Sequence, residues 1–375
     1  MTAEQAFSTP SEHAKNVLRL LKQSHNVLIS GPPATGKSRL LAEVRHWFQQ
    51  TPGPMFHTTG GSAFPAREQG EGIQGWLPSP ERSERRTFSI TFHQGTKYRD
   101  FISGLMPDPT RPTFKVVCGP LFLAAEHGQT KNGAALVLID EINRGPAVAI
   151  FGDTINAIEC DKRKRPDGSM GAMTWTFPLL QADGKIVDYS LPHHLYLVAA
   201  MNQADTSVEP LDVAFLRRFE HYALVPDEIE LRRYLGLPEA AAGALPSTPA
   251  SATDVLEATV HAWAKLNGSI SLARGEEFQM GHGVFVEHSS ALPDSLPGAL
   301  AFAQRVWTRL FSHVSEVFFG DTRGLEAAVR AGAPGNPYTL EHADFADSSV
   351  SRLRKPSVVN SEQLYAALKS ISESS

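Results

Sequence analysis

Apolar positions along the first 226 residues switch repeatedly between a helical period and short extended runs. Ala14, Val17, Leu18 and Leu21 recur at helical spacing, with Ser11 as N-cap after Pro10, and predict a helix over 11–23. Asn26-Val27-Leu28-Ile29-Ser30 predicts a strand, and Leu40, Leu41, Val44, Trp47 and Phe48 predict a helix running to about Gln49. Residues 51–87 are rich in Gly, Pro, Ser and Glu without a period and read as an inserted loop. Phe88-Ser89-Ile90-Thr91-Phe92 alternates as a second strand. Residues 98–105 and 119–127 read as helices, the first broken at Met106-Pro107-Asp108-Pro109. Leu136-Val137-Leu138-Ile139 is continuously apolar, as in a central parallel strand. A helix over 146–159, one or two β-hairpins within 161–190 around Pro166-Asp167-Gly168, and a fourth strand at Leu195–Ala200 follow. A short helix at 211–217 and a fifth strand at Tyr222–Val225 complete an alternating α/β pattern.

After Pro226 the pattern becomes helical. Helices are expected at 227–235, at 254–266 with Asn267-Gly268 as its stop, and at 298–319, whose Leu300, Trp307, Leu310, Phe311, Val314, Val317 and Phe318 make one apolar face. An Ala/Pro/Ser-rich loop is expected at 237–253, and a weakly patterned tail over 341–375 with one helix near 361–371. The expected fold class is therefore an α/β core over 1–226, with insertions at 51–87 and 161–190, then a smaller helical domain over 227–340 and the tail.

Composition narrows the function classes. Net charge is −5 over 375 residues, so the chain as a whole is not a polycation, and nucleic acid is expected to be met locally or through a partner. Cys118 and Cys160 lie far apart in no metal-ligand spacing, and read as reduced thiols of a cytoplasmic protein. The start of the chain lacks a signal peptide's apolar stretch, and no run approaches a membrane span. The histidines show no zinc spacing, so no metal site is expected from them.

The chemistry starts at Gly31-Pro32-Pro33-Ala34-Thr35-Gly36-Lys37-Ser38, a G-x-x-x-x-G-K-[ST] loop between the first strand and a helix. Backbone N–H groups of such a loop and the positive end of the following helix face phosphate. Lys37 reaches the β and γ phosphates, and the Ser38 hydroxyl serves Mg²⁺. Asp140-Glu141 ends the central strand, so Asp140 is placed to hold Mg²⁺ and Glu141 to polarise the attacking water. Asn202, ending the next strand, is placed to touch the γ-phosphate and that water. Arg217, Arg218 and Arg144 are three candidates for a guanidinium delivered to a neighbouring subunit's γ-phosphate. Lys162-Arg163-Lys164-Arg165, the densest basic run, reads as a solvated turn, with nucleic-acid phosphate as the competing reading.

Together these residues resemble the McrB-type branch of AAA+ ATPases, the motor subunits of modification-dependent restriction systems. The resemblance rests on the phosphate loop, Phe92-His93-Gln94 through Gly104, Asp140-Glu141-Ile142-Asn143-Arg144, and Glu159-Cys160-Asp161-Lys162-Arg163. It continues through Met201-Asn202-Gln203-Ala204-Asp205, Leu216-Arg217-Arg218-Phe219, Phe278-Gln279-Met280-Gly281-His282 and Phe318-Phe319-Gly320-Asp321. It implies an AAA+ core with a helical lid, assembled as a homo-oligomeric ring, usually a hexamer, with ATP or GTP between subunits. It also implies that Asn202 and Asp205 belong to a signature loop of the nucleotide site and that Arg217 and Arg218 lie at the interface. A McrC-like or nuclease subunit is the implied partner, with nucleic acid reached through it and no membrane involved. Thr206 stands where the family often has Arg. Only about 25 residues precede the core, so a DNA-reading domain is expected on another protein. A MoxR-type chaperone that remodels a protein, and a scaffold that binds nucleotide with little hydrolysis, are the other readings. The complete set Asp140, Glu141, Asn202 and arginines speaks against the scaffold.

Overall fold

The computed structural model describes residues 7–51, 72–204, 211–241, 243–287, 292–345, 348–354 and 360–373. Packing divides the chain into two compact units, 1–30 with 37–223, and 31–36 with 224–375. Residues 52–71, which make up most of the expected insertion at 51–87, lie outside the described residues, as do Asp205 and Thr206.

The first unit is built on a five-stranded parallel sheet. Its strands in chain order are β1 (Asn26–Gly31), β2 (Glu84–Thr91), β5 (Gly133–Asp140), β8 (Leu195–Asn202) and β9 (Glu220–Ala223), arranged β2-β5-β8-β1-β9. Two antiparallel hairpins sit between them, β3 (Ser103–Pro107) with β4 (Phe114–Cys118), and β6 (Phe177–Leu180) with β7 (Ile186–Tyr189). β1 is buried along its whole length and β5 along all but its last residue. Such strands need apolar residues on both faces, which is why they read as unbroken runs. Helix Glu12–Ser24 starts where expected, the Ser11 hydroxyl accepting from the Ala14 N–H at 3.1 Å.

Several expectations are corrected. The helix over 98–105 stops at Phe101, and Ser103–Pro107 is instead a hairpin strand. Gly104 and Pro107 do not sustain a helix, and Leu105 pairs with Val116 of the β-favouring run Phe114–Cys118. The helix over 146–159 is two short ones, Ala147–Phe151 and Thr154–Ala157, parted at Gly152. β2 begins four residues early, and its Arg85 is buried by donating to the carbonyls of Phe48, Ser79 and Pro78.

The second unit is mostly helical, with Glu228–Leu235, Ala252–Arg274, Leu296–Val317, Thr322–Val329 and Ser361–Ser372 around one apolar core. The helix expected to stop at Asn267-Gly268 runs on to Arg274. Asn267 is buried there, its amide donating to the Met280 carbonyl and accepting from the Met280 N–H, both at 2.8 Å. The tail contains a hairpin, β10 (Thr339–Phe345) with β11 (Ser348–Arg354), that no sequence pattern indicated. Arg232 and Glu257 form a buried ion pair at 2.9 Å, joined by Glu228 at 2.8 Å, so both charges are paired. Among the described residues no helix is long and apolar enough to cross a membrane.

Candidate nucleotide site

The phosphate loop leaves the end of β1 and leads into helix Lys37–Phe48. Thr35 is buried, and its hydroxyl donates to the Pro32 carbonyl at 2.8 Å, closing the loop on itself. Gly36 takes φ +87° and Ala34 φ +61°, the left-handed turns that aim successive N–H groups to one side. The carbonyls of Pro33 and Ala34 are occupied instead by the second unit's own backbone. Gly281 N–H donates to Pro33 and Gly283 N–H to Ala34, both at 2.8 Å. A Cβ on Gly281 would stand 2.2 Å from the Ala34 oxygen, so this close approach admits only glycine. This strap on the phosphate loop was not legible in sequence, because nothing local to Gly281 announces its partner.

Within the first unit, β5 and β8 run parallel in register from Ala135 opposite Leu195 to Ile139 opposite Ala199. That register brings Asp140, Glu141 and Asn202 to the same strand ends. The Asp140 carboxylate accepts from the Glu141 N–H at 3.0 Å. Glu141 itself sits at φ +53°, a conformation that costs a non-glycine residue about 1–2 kcal/mol. Its two carboxylate oxygens have different partners. Asn202 Nδ2 donates to Oε1 at 3.0 Å, and Arg144 Nε lies 3.2 Å from Oε2. Asn143, buried, donates to the Asn202 carbonyl at 2.9 Å and ties the two strand ends together. Ile142 is fully buried in the core. Each residue of Asp140–Arg144 therefore has a separate structural task.

Lys37 is only 8% exposed. Burial pulls its ammonium down to about 8, with the carboxylates of Glu141 and Asp140 pulling the other way. A cavity of about 340 Å³ is lined by Ser38, Arg45, Thr91 and Asp140 among others. Ser38, Thr91 and Asp140 present only oxygen donors, the set that suits a hard divalent cation such as Mg²⁺.

Residues 80–219 match the AAA domain of the dynein-related subfamily. Over 229 residues the chain is 25% identical to the type IV methyl-directed restriction enzyme EcoKMcrB subunit of Escherichia coli K12, covering 60% of this chain and 41% of that protein. Over 227 residues it is 30% identical to the type II restriction enzyme BsuMI component YdiS of Bacillus subtilis 168, covering 58% of this chain and 60% of that protein. The chain is similar to McrB-type AAA+ proteins over somewhat more than half of its length, and carries the AAA domain matched at 80–219. Its alignments thus span about half the length of these two relatives.

The arginines of this AAA domain differ in their surroundings. Arg218 is held within its own chain, Nη2 donating to Asn156 at 2.6 Å and Nε lying 3.1 Å from the Glu159 carboxylate. Arg217 is exposed and has no side-chain partner among the described residues. Arg144 is half-exposed beside Glu141. Asp205 lies outside the described residues. The basic run divides as well. Arg163 is buried and donates to the Ile158 carbonyl, the Leu195 carbonyl and Asn26 Oδ1, so it is a structural brace, whereas Lys164 and Arg165 are more open.

Proposed function

We propose that this chain hydrolyses a nucleoside triphosphate, ATP or GTP, between subunits of a homo-oligomeric ring, usually a hexamer in this branch, as the motor subunit of a McrBC-like restriction or anti-phage system. The observation that carries the hydrolytic reading is the convergence of Lys37, Asp140, Glu141 and Asn202, with Glu141 held through both oxygens. The restriction reading draws support from the two relatives, each described as part of a restriction enzyme.

In this reading loop residues Gly31–Ser38 bind the phosphates, Lys37 placing its ammonium against the β and γ groups. Ser38 and Asp140 would hold Mg²⁺, which would supply positive charge against the phosphate oxygens. Glu141 orients the attacking water and receives its proton, and Asn202 fixes that water and the γ-phosphate from the neighbouring strand. Arg217 is the guanidinium we assign to the adjacent subunit's nucleotide, because Arg218 is committed to Asn156 and Glu159. Arg144 restrains Glu141, and Asp205 completes the signature loop. The helical region that carries Gly281 serves as the lid. Cys118 and Cys160 are both free thiols, which suits the reducing cytoplasm.

The test is hydrolysis of ATP and of GTP by the purified chain, with and without the product of a neighbouring gene. The proposal expects turnover of at least one nucleotide and its stimulation by a McrC-like or nuclease subunit. Stimulation only by a von Willebrand-type partner would replace it with the chaperone reading, and no turnover under any condition would overturn it.

A further inference from the structure

The opposite edge of the parallel sheet carries a second cationic recess. β5 begins at Gly133 and β8 at Leu195, so this edge lies one strand length from Asp140, roughly 25 Å for eight residues. A cavity of about 330 Å³ opens there, lined by Arg82, Lys131, Lys164, Arg165, His193 and His194. Asp167 is the one acid in its lining, and that carboxylate is engaged by the Ser169 N–H at 2.9 Å and the Ser169 hydroxyl at 2.7 Å.

The recess is pre-built from several chain segments. Arg82 is fixed by donating to the carbonyls of Thr130 and Lys131 and by a 2.7 Å contact to His194 Nε2. Lys164 is aimed by a 2.7 Å bond to Gln129. The loop carrying Arg165 closes through Arg165 N–H to the Ser169 carbonyl at 2.9 Å and Gly168 N–H to the Arg165 carbonyl at 2.9 Å. Glu81 stands at the margin, 3.9 Å from Arg82 and 3.8 Å from His194, and is mostly exposed. Four cations against Asp167 and the marginal Glu81 leave a net positive potential that the negative net charge of the chain does not suggest. The same segment exposes Met170, Met173 and Trp175, the last 44% exposed, side chains on which a base can stack or rest.

We infer that this recess is a second binding site for phosphate groups, distinct from the nucleotide loop and formed by Arg82, Lys131, Lys164 and Arg165. The cavity has room for a phosphate group, free or within a nucleic-acid backbone; Lys131, Lys164 and Arg165 supply donors, and Arg82, held by Thr130, Lys131 and His194, supplies positive charge. The inference does not depend on nucleotide hydrolysis.

The test compares the full-length chain with Lys131→Glu/Arg165→Glu, both exposed positions, and with Lys115→Glu/Lys185→Glu, which makes the same charge change outside the recess. Labelled single-stranded oligothymidylate is followed by anisotropy, and inorganic phosphate by calorimetry. Only signal that disappears in the first variant and persists in the second is assigned to the recess, so phosphate held elsewhere cancels. Oligonucleotide binding weakened by about tenfold or more in the first variant, with a salt slope smaller by about 0.7 for each phosphate no longer neutralised, supports the site and names a nucleic-acid backbone as its source. Loss confined to inorganic phosphate supports the site and names free phosphate. Equal binding of both probes by all three proteins, or no binding of either, overturns the inference. Unchanged thermal unfolding and nucleotide turnover in both variants serve as the folding control.

Discussion

The side-chain amide of Asn202 donates to the carboxylate of Glu141 at 3.0 Å, across the ends of two adjacent parallel strands. With Arg144 on the other oxygen, the would-be base is restrained from both sides and its backbone is fixed in a left-handed turn. Strain and double restraint at one residue are the marks of a position whose geometry matters more than its stability. In the proposed mechanism each carboxylate oxygen keeps a second lone pair, so Glu141 can hold both partners and still accept a hydrogen bond from a water.

Lys37→Ala is expected to abolish tight nucleotide binding. The ammonium is buried and already stressed by that burial, so it gains most from an anionic partner. Equilibrium titration with a fluorescent nucleotide checks this. Affinity near that of the native chain would remove the phosphate-loop assignment.

Gly281→Ala tests the strap on the loop. Its new methyl group would collide with the Ala34 carbonyl, so the loop must shift. Nucleotide affinity should fall by about tenfold or more, as expected for a misplaced binding group, with turnover at saturation less affected. Gly268→Ala is the control, since a Cβ there meets nothing within 4 Å and this exposed helical position should gain about 0.5–1 kcal/mol.

Arg217→Ala should bind nucleotide and lose turnover by on the order of a thousandfold if it acts in the adjacent subunit. Arg218→Ala should instead loosen the hold on Asn156 and Glu159 and show itself in unfolding measurements. Mixing Arg217→Ala with Glu141→Gln should restore part of the hydrolysis, since one subunit supplies the carboxylate and its neighbour the arginine. Failure of every mixture, with a monomeric chain in the presence of nucleotide, would count against a shared site.

Acid should weaken the first unit through its buried histidines. His25 lies against the Tyr196 ring at 5.1 Å and edge-on to His193 at 4.6 Å. Burial first, then the charge of Arg163 and the neighbouring His193 and His194, pushes His25 down to about 2. His193 is pushed down to about 4 by burial, by His194 and by Arg163, with Glu81 opposing and Arg82 adding to the shift. The unfolded chain therefore binds protons that the folded one refuses, so stability falls as pH drops below about 6.5 and is fully present above it. Urea unfolding should show a smaller pH slope for His25→Phe, by about one proton near pH 5 and about half a proton at pH 6.5. Equal slopes would show that His25 is not the titrating group.

The contiguous motifs and the strands that carry them were legible in sequence. The phosphate loop and Asp140-Glu141 are contiguous, and the strands leading to them are buried on both faces, so they read as unbroken apolar runs. Asn202 was legible because it ends such a run. What was hidden depends on partners far along the chain. Gly281 matters through Ala34, and Asn267 continues a helix it was expected to end because Met280 satisfies its amide. Arg163 sits in a basic run yet is buried by carbonyls from two other segments and by Asn26. The hairpin Ser103–Cys118 escaped notice because Tyr98, Phe101, Ile102 and Leu105 also fit a helical period.

The most direct measurement is nucleotide binding and hydrolysis in the same preparation of Glu141→Gln. The amide keeps the side chain's size and removes its charge and its ability to take a proton. Binding should remain close to that of the native chain while turnover of the preferred nucleotide drops by about 10²–10⁴-fold. Turnover within about threefold of the native chain, well below the usual effect of losing a general base, would contradict the role assigned to Glu141 and with it the hydrolytic account of the site.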